Sequence, residues 1–450
     1  MRVLLLVLLA AAATNPLAAQ GMQGGQGGAG FGGPAVLGRA AGGGLNRSRE
    51  IKLRFFASVQ GTYDTGLTSL ALDASGELVT RSSSGLQANF GVTGGKQFRR
   101  AQVMLALNGG YRYFEQAFVN KGVNFMAIAG GTYVVNRRVS LGSSNVLGSQ
   151  LQSFSIGLAT LPALAQDPVT STLPVNDFID TRISFWSNNS TLTYQFGPRL
   201  SFSASGGFNG NKRTGRALAS STGISARGDI AYRINRRQTL SVDYSFANYN
   251  FSGSYGDTAI HQTAVGYSIE IGRSWTAQLR AGGSLLQNEG LRQVTLDPFI
   301  AAILGRPTGL EAFYKESFQP SLQATLTRNW RKASLTGGYR QGVTPGNGLL
   351  LTSRTQNFSG TYRYTGIRRW TLGMLASDNR MENLIGYTAS SNITTALGSI
   401  GYQVRRDLQT SATFGYRRNV FGGLNNFNQQ GMRLTFSISY SPGDVPLALW

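Results

Sequence analysis

The residue types that most often carry catalysis or bind metals are scarce in this chain. It contains no Cys and a single His, His261, so thiol chemistry, disulfides and a histidine metal cluster are excluded. His261 has the same parity as Val265 and Tyr267 along its predicted strand, so it should lie on the same outward face, near the end of the strand. No spacing of Ser, His and acid indicates a catalytic triad. We therefore expect no enzyme, no cofactor and no metal site.

Arginine is the residue type whose placement points to a function. Along many segments, apolar and polar residues alternate, and a set of basic residues falls on the polar side of that alternation. Only Asp229, Asp243 and Glu270 clearly join them there. If these segments are strands that line a channel, such cations attract anions into it. The basic residues are Lys52, Arg54, Arg112, Arg227, Arg233, Arg280, Arg340, Arg363, Arg417 and Arg433.

Carboxylates that could oppose these cations are expected in the longer connections. The connection at 289–315 contains Asp297 and Glu311. Asp297 followed by Pro298, an apolar run and Gly305 predicts a short helix. We expect Asp297 and Glu311 to belong to a loop that narrows the channel, although the same loop could contact a partner outside. The sequence also leaves open that inward acids neutralise the arginines.

The segments that must position these side chains have the pattern of β-strands. In the hairpin at 225–250, the turn at 235–237 joins two runs in which every second residue is apolar or small. A period of two places these residues on one face and the polar residues on the other. No apolar run approaches the roughly 20 residues of a membrane-spanning helix. Charged residues make up 14%, below the average of about 25% for soluble domains, which suits a chain that shows much surface to lipid.

The hairpin unit recurs along most of the chain. Tight, mostly basic turns lie at 97–100, 136–138, 197–199, 235–237, 272–274, 329–332, 366–369 and 405–407. Longer polar connections alternate with them, near 64–82, 115–121, 158–181, 211–220, 253–258, 289–315, 344–352, 381–392 and 421–428. This alternation predicts an all-β, antiparallel up-and-down transmembrane barrel of about 18 strands, with short periplasmic turns and long extracellular loops. The weak pattern at 139–155 leaves about 16 strands as the alternative.

The N-terminus has the order of a secretory signal. Arg2 precedes an apolar run that ends in small residues near Ala19, so we expect 1–20 to be a signal peptide. The stretch 21–47 is rich in Gly and is expected to be a flexible linker. The barrel is then expected over 48–450. The net charge of +22 is spread through turns and strands, and the signal argues for export, so nucleic-acid binding is not expected.

From residue 51 onward, the chain resembles the porin-like outer-membrane β-barrels of diderm bacteria. The resemblance rests on the repeated turns and on tyrosines near both strand ends, such as Tyr133, Tyr232 and Tyr402 at one end and Tyr111 and Tyr339 at the other. It implies a location in the bacterial outer membrane and contact with its lipid. It also leaves a homo-oligomer open.

The function that the sequence favours is passive diffusion of small solutes, with a bias toward anions set by an arginine-lined lumen. Two alternatives remain open at this point. The barrel could export an acidic polysaccharide, which also favours cationic walls. It could instead be a closed barrel that acts as a surface receptor or scaffold, and such a protein would show no conductance.

Overall fold

A computed structural model describes residues 51–72, 78–115, 121–151, 182–213, 219–252, 256–295, 299, 308–344, 351–384, 389–423, 427–442 and 444–447. The expectations for the signal peptide at 1–20, the linker at 21–47, the loop at 158–181 and Asp297 lie outside these residues. So does the short helix after Pro298, apart from Phe299. Among the helices of the described residues, none is long and apolar enough to cross a membrane.

The described chain is built from β-strands. They are β1 (Ile51–Leu72), β2 (Leu78–Gln97), β3 (Ala101–Phe114), β4 (Gly122–Val134), β5 (Val139–Leu151), β6 (Arg182–Gln195), β7 (Leu200–Arg213), β8 (Ser221–Arg233), β9 (Gln238–Phe251), β10 (Gly256–Ile271), β11 (Trp275–Thr295), β12 (Thr308–Asn329), β13 (Ala333–Thr344), β14 (Ser353–Tyr364), β15 (Trp370–Asn383), β16 (Ser390–Gln403), β17 (Leu408–Gly422), β18 (Phe427–Tyr440) and β19 (Asp444–Leu447).

Each strand pairs antiparallel with the next, and the sheet closes on itself. β1 pairs with β2 on one side, and on the other side it pairs first with β18 and then with β19. Because Ala57 opposes Tyr440 and Arg54 opposes Asp444, β19 continues the line of β18 after a short break. The barrel therefore has 18 strands, as predicted, and closure leaves it without a free edge.

The weak segment at 139–155 contains a strand. β5 pairs with β4 and with β6 over most of its length, which decides the strand number in favour of 18. The predicted bounds of two connections were wrong. β1 and β2 stay paired as far as Leu72 and Leu78, and β11 and β12 stay paired as far as Thr295 and Thr308. In both hairpins, the two strands stay paired with each other beyond the ends of the neighbouring strands.

Large apolar side chains are exposed on one face of the sheet. Phe55, Leu86, Val242 and Phe436 are examples, and residues directly opposite each other share this face across the register. In a closed barrel of this size the exposed apolar face is the outside, where it fits the hydrocarbon band of an outer membrane. The inner face is mostly polar. Aromatic rings also pack there over glycines, such as Phe56 over Gly91 and Phe114 over Gly85.

Candidate functional site

The basic residues expected in the lumen lie on the inner face wherever the structure describes their side chains. Each alternates with exposed outward residues, as Arg112 does with Tyr111 and Tyr113, and Arg433 with Met432 and Leu434. The set with described side chains is Arg54, Arg112, Arg227, Arg233, Arg280, Arg340, Arg363, Arg417 and Arg433. For Lys52 the backbone register gives the same parity as Arg54, so it belongs to the same face.

Two of these arginines flank one buried carboxylate on the inner wall. Asp243 of β9 is 2% exposed, and the Arg280 Nε donates to its Oδ1 at 2.8 Å while the Arg280 Nη2 contacts Oδ2. The Arg227 Nη2 lies 3.4 Å from the same Oδ1. Asp229 of β8 opposes Asp243 in the register, and the Ser203 hydroxyl donates to it. Because Asp229 also lies here, the two guanidiniums and the two carboxylates of this group balance in charge.

A second buried ion pair lies at the seam between β1 and β18. Asp64 is fully buried, and the Arg433 Nε donates to its Oδ2 at 2.8 Å. The backbone N–H of Gly66 donates to Asp64 Oδ1 at 2.8 Å, and the Gly66 carbonyl accepts from Arg417 Nη2 at 3.0 Å. Sequence reasoning placed Asp64 at the start of a loop and so missed it as an inward acid. Its partner lies 369 residues away in the chain, so no local sequence pattern indicates this pair.

Arg112, Arg340 and Arg417 are almost fully covered. Their exposed fractions are 7%, 7% and 8%, and the Arg112 guanidinium lies 5.4 Å from the centroid of the Phe114 ring. A side chain that projected into open water would be far more exposed. The three guanidiniums are therefore packed among other groups of the inner wall.

Charge on the inner face is unequal in sign. Among the described side chains, the carboxylates of the paired strands with the inward parity are Asp64, Asp229, Asp243, Glu270 and Glu311, and the arginines outnumber them. By register Asp444 also belongs to this face, opposite Arg54. The acids that pair with these arginines, Asp64 and Asp243, belong to strands, so the alternative that acids of the long loops fold inward stays untested.

Glu311 lies on β12, opposite Arg292 of β11, in the part of this hairpin that extends beyond the neighbouring strands. It is exposed. The loop that contains Asp297 lies outside the described residues, so the expectation that these two acids form a constriction stays a prediction.

The loop-side end of the lumen carries an apolar cluster that the sequence did not suggest. Tyr249, Ile260 and Leu286, from the inner faces of β9, β10 and β11, are fully buried there together with Val343. Leu351, just before β14, and Leu384, just after β15, pack against this cluster. We call this group the mouth cluster.

Polar contacts hold the same connections in place. The Thr258 hydroxyl of β10 forms a 2.7 Å hydrogen bond with the Thr352 hydroxyl and donates to Asn288 Oδ1 at 2.8 Å. Lys315 Nζ donates to the Leu384 carbonyl at 3.1 Å. Thr352 lies just before β14, which is not a neighbour of β10, so these contacts hold the connection before β14 over the inner side of the wall.

Replacing Leu351 and Leu384 together by serine should widen the loop-side opening of the barrel. The substitutions remove the apolar contacts that hold the two connections against the wall, so we expect the single-channel conductance to rise about twofold. The measurement is single-channel recording in a planar bilayer. Ile367→Ser, in an exposed turn at the other end of the barrel, is the matched control and should leave the conductance unchanged. An unchanged conductance in the double variant would mean that the narrowest point lies elsewhere.

The remaining candidates carry no chemistry of their own. His261 lies on the outer face, where its Nδ1 is 2.8 Å from the Tyr244 hydroxyl, in agreement with the surface position expected for it. Among the residues that the structure describes, no three His, Asp or Glu side chains lie close enough together to hold a metal ion.

Neither a protein family nor a curated protein matches this chain. Similar folds occur among solved structures of Pseudomonas aeruginosa. OccK2 (OpdF) is 12% identical, with a TM-score of 0.44 over 87% of this chain and 98% of that one. OccK5 (OpdH) is 12% identical, with a TM-score of 0.43 over 89% and 99%. The outer membrane protein OpdK is 13% identical, with a TM-score of 0.42 over 86% and 99%.

The architecture itself rests on the chain's own geometry. Eighteen antiparallel strands close into a barrel whose outside is apolar and whose inside is polar and charged. These are the features by which an outer-membrane β-barrel satisfies its backbone and faces lipid. The chain therefore has the architecture of a porin-like protein of the bacterial outer membrane.

Proposed function

We propose that this barrel is a pore through which small solutes cross the outer membrane by diffusion, with a preference for anions. The observation that carries the proposal is the unequal charge of the inner face, where arginines outnumber carboxylates. Fixed charges inside a narrow, partly desolvated channel are screened less than charges on an open surface. They therefore enrich anions in the lumen and deplete cations.

The packing of side chains on the inner face supports small solutes over a polymer. Arg112, Arg340 and Arg417 are nearly covered, and the mouth cluster reduces the opening at the loop side. A conduit for an acidic polysaccharide would need a wider continuous path. An open pore and a fully closed barrel give opposite results in the uptake experiment below.

The proposal is tested by uptake into liposomes that contain the purified protein. Glucuronate, glucose and glucosamine are three solutes of similar size with negative, neutral and positive charge. Glucuronate is a suitable first anion because OccK2 has been solved in complex with it, and OpdK has been solved with vanillate, another carboxylate.

We expect glucuronate to enter fastest and glucosamine slowest, with the difference shrinking as salt is added, since added ions screen the arginines. Liposomes without protein give the background rate. Entry of all three at one rate would contradict the anion preference. No entry of any solute above background would contradict the pore itself and favour a closed barrel.

A further inference from the structure

The outer face of the barrel carries a polar patch in the middle of two neighbouring strands. Asn145 is the middle residue of β5, and Asn188, directly opposite it, lies in the middle of β6. Ser143 and Ser190 form the next pair on the same face. These four residues are called the amide patch.

Its position on the outside follows from its neighbours. Leu147 and Trp186, the adjacent pair on this face, are exposed, and so are Leu192 and Phe208. Other outward polar residues of the described strands, Thr263, Gln341, Gln356 and Asp378, lie slightly nearer the loop side. The amide patch differs from them because two opposed polar pairs follow each other on one face and form a hydrogen-bonded group.

Hydrogen bonds inside the patch satisfy only part of its polar groups. Asn188 Nδ2 donates to Asn145 Oδ1 at 2.6 Å and to Ser143 Oγ at 3.3 Å, and Asn145 Nδ2 donates to Ser143 Oγ at 3.3 Å. Within the described part of the chain, Asn188 Oδ1 and the Ser190 hydroxyl have no hydrogen-bond partner. Acyl chains offer none, so an uncovered patch is unfavourable in the hydrocarbon band.

The surface on either side of the patch suits close contact with another barrel. Ala129 and Gly131 oppose Asn145 and Ser143 on β4, and Gly206 opposes Ser190 on β7. Small side chains let two backbones approach closely inside a membrane. The surface beside Ser143, Asn145 and Ser190 is therefore formed by small side chains, whereas the exposed Phe208 opposes Asn188 at its edge.

We infer that the amide patch is an interface with a second copy of this chain. Carboxamide and hydroxyl groups each carry a donor and an acceptor, so two identical patches can satisfy each other. The chain has a net charge of +22, which opposes self-association over most surfaces, whereas the amide patch has no charged residue. Two copies that meet here bring no like charges together.

The interface is tested by photo-crosslinking in native outer membranes. Benzoylphenylalanine is placed at Ser190, and in a second variant at Leu147, the exposed neighbour of Asn145. The matched control carries it at Ala376, an exposed outward residue of β15 on the opposite side of the barrel. Adducts are identified by mass spectrometry, and the shift of the folded band on heating confirms that each variant has folded.

We expect both patch positions to give chain-to-chain adducts, and the Ala376 position to give several-fold fewer. In the Asn145→Leu/Asn188→Leu background, the folded barrel should give several-fold fewer adducts at Leu147. The inference is overturned if neither patch position gives adducts, or if Ala376 gives them equally often. It is also overturned if the adducts form with a different protein. So would adducts at Leu147 that persist undiminished in the folded double-leucine variant.

Discussion

Replacing Asp64 by alanine will destabilise the barrel by about 3–5 kcal/mol, the usual cost of leaving one partner of a buried ion pair alone. Asp64 is fully buried, and the side chain of its partner Arg433 is 16% exposed, so water cannot replace the lost carboxylate. The Gly66 N–H also loses its acceptor, and Gly66 lies at the seam where the last strand closes on the first. The free energy of unfolding is measured by urea titration, following the folded band on a gel.

Asp378→Ala is the matched control for this prediction. Asp378 pairs with Arg380 on the outer face, and their side chains are 24% and 57% exposed, so its loss should change the stability by about 1 kcal/mol or less. A second variant, Asp64→Leu/Arg433→Met, removes both charges and should recover part of the loss. If Asp64→Ala were no less stable than Asp378→Ala, the buried pair would not support barrel closure.

Replacing Arg112 and Arg340 together by glutamate will lower the ratio of anion to cation permeability by on the order of tenfold, because it reverses two charges on the inner wall of the channel. Both arginines lie on the inner face and are nearly covered. A milder variant, Arg112→Gln/Arg340→Gln, removes the charges without reversing them and should give a smaller change in the same direction. The reversal potential under a salt gradient provides the ratio.

The matched control reverses two arginines that face outward at the loop side. Arg380 and Arg418 are exposed on the outer face of β15 and β17. The variant Arg380→Glu/Arg418→Glu changes the net charge of the protein equally, but it should leave the selectivity unchanged. Equal shifts in the two variants would mean that the net charge of the protein, and not the lumen, sets the preference.

The sequence was enough to predict the strands wherever one face of the sheet meets lipid. Alternation of apolar and polar residues is a strong signal there, because a slip of one residue would turn every polar side chain to the hydrocarbon. The same physics made the inward parity of the arginines predictable. It failed for β1 and β2 near Asp64, and for β12 near Glu311, because those parts of the hairpins extend beyond the neighbouring strands and lose the alternation.

The weak prediction at 139–155 has a specific cause. The outward face of β5 carries Ser143, Asn145 and Ser149 between its leucines, so the apolar period is interrupted along this strand. What looked like a poor strand is a regular one with a polar outer face. No sequence pattern indicates the mouth cluster, since Leu351 and Leu384 contact Tyr249 and Ile260 only once the barrel has closed.

If the lumen is an open path whose arginines favour anions, the wild-type protein should conduct with a reversal potential set mainly by chloride. Purified protein is inserted into a planar bilayer of neutral lipid with potassium chloride at two concentrations. We expect discrete conductance steps and a reversal potential on the chloride side of zero, larger at low salt because screening is weaker there. A conducting pore with a reversal potential at zero, or on the potassium side, would contradict it.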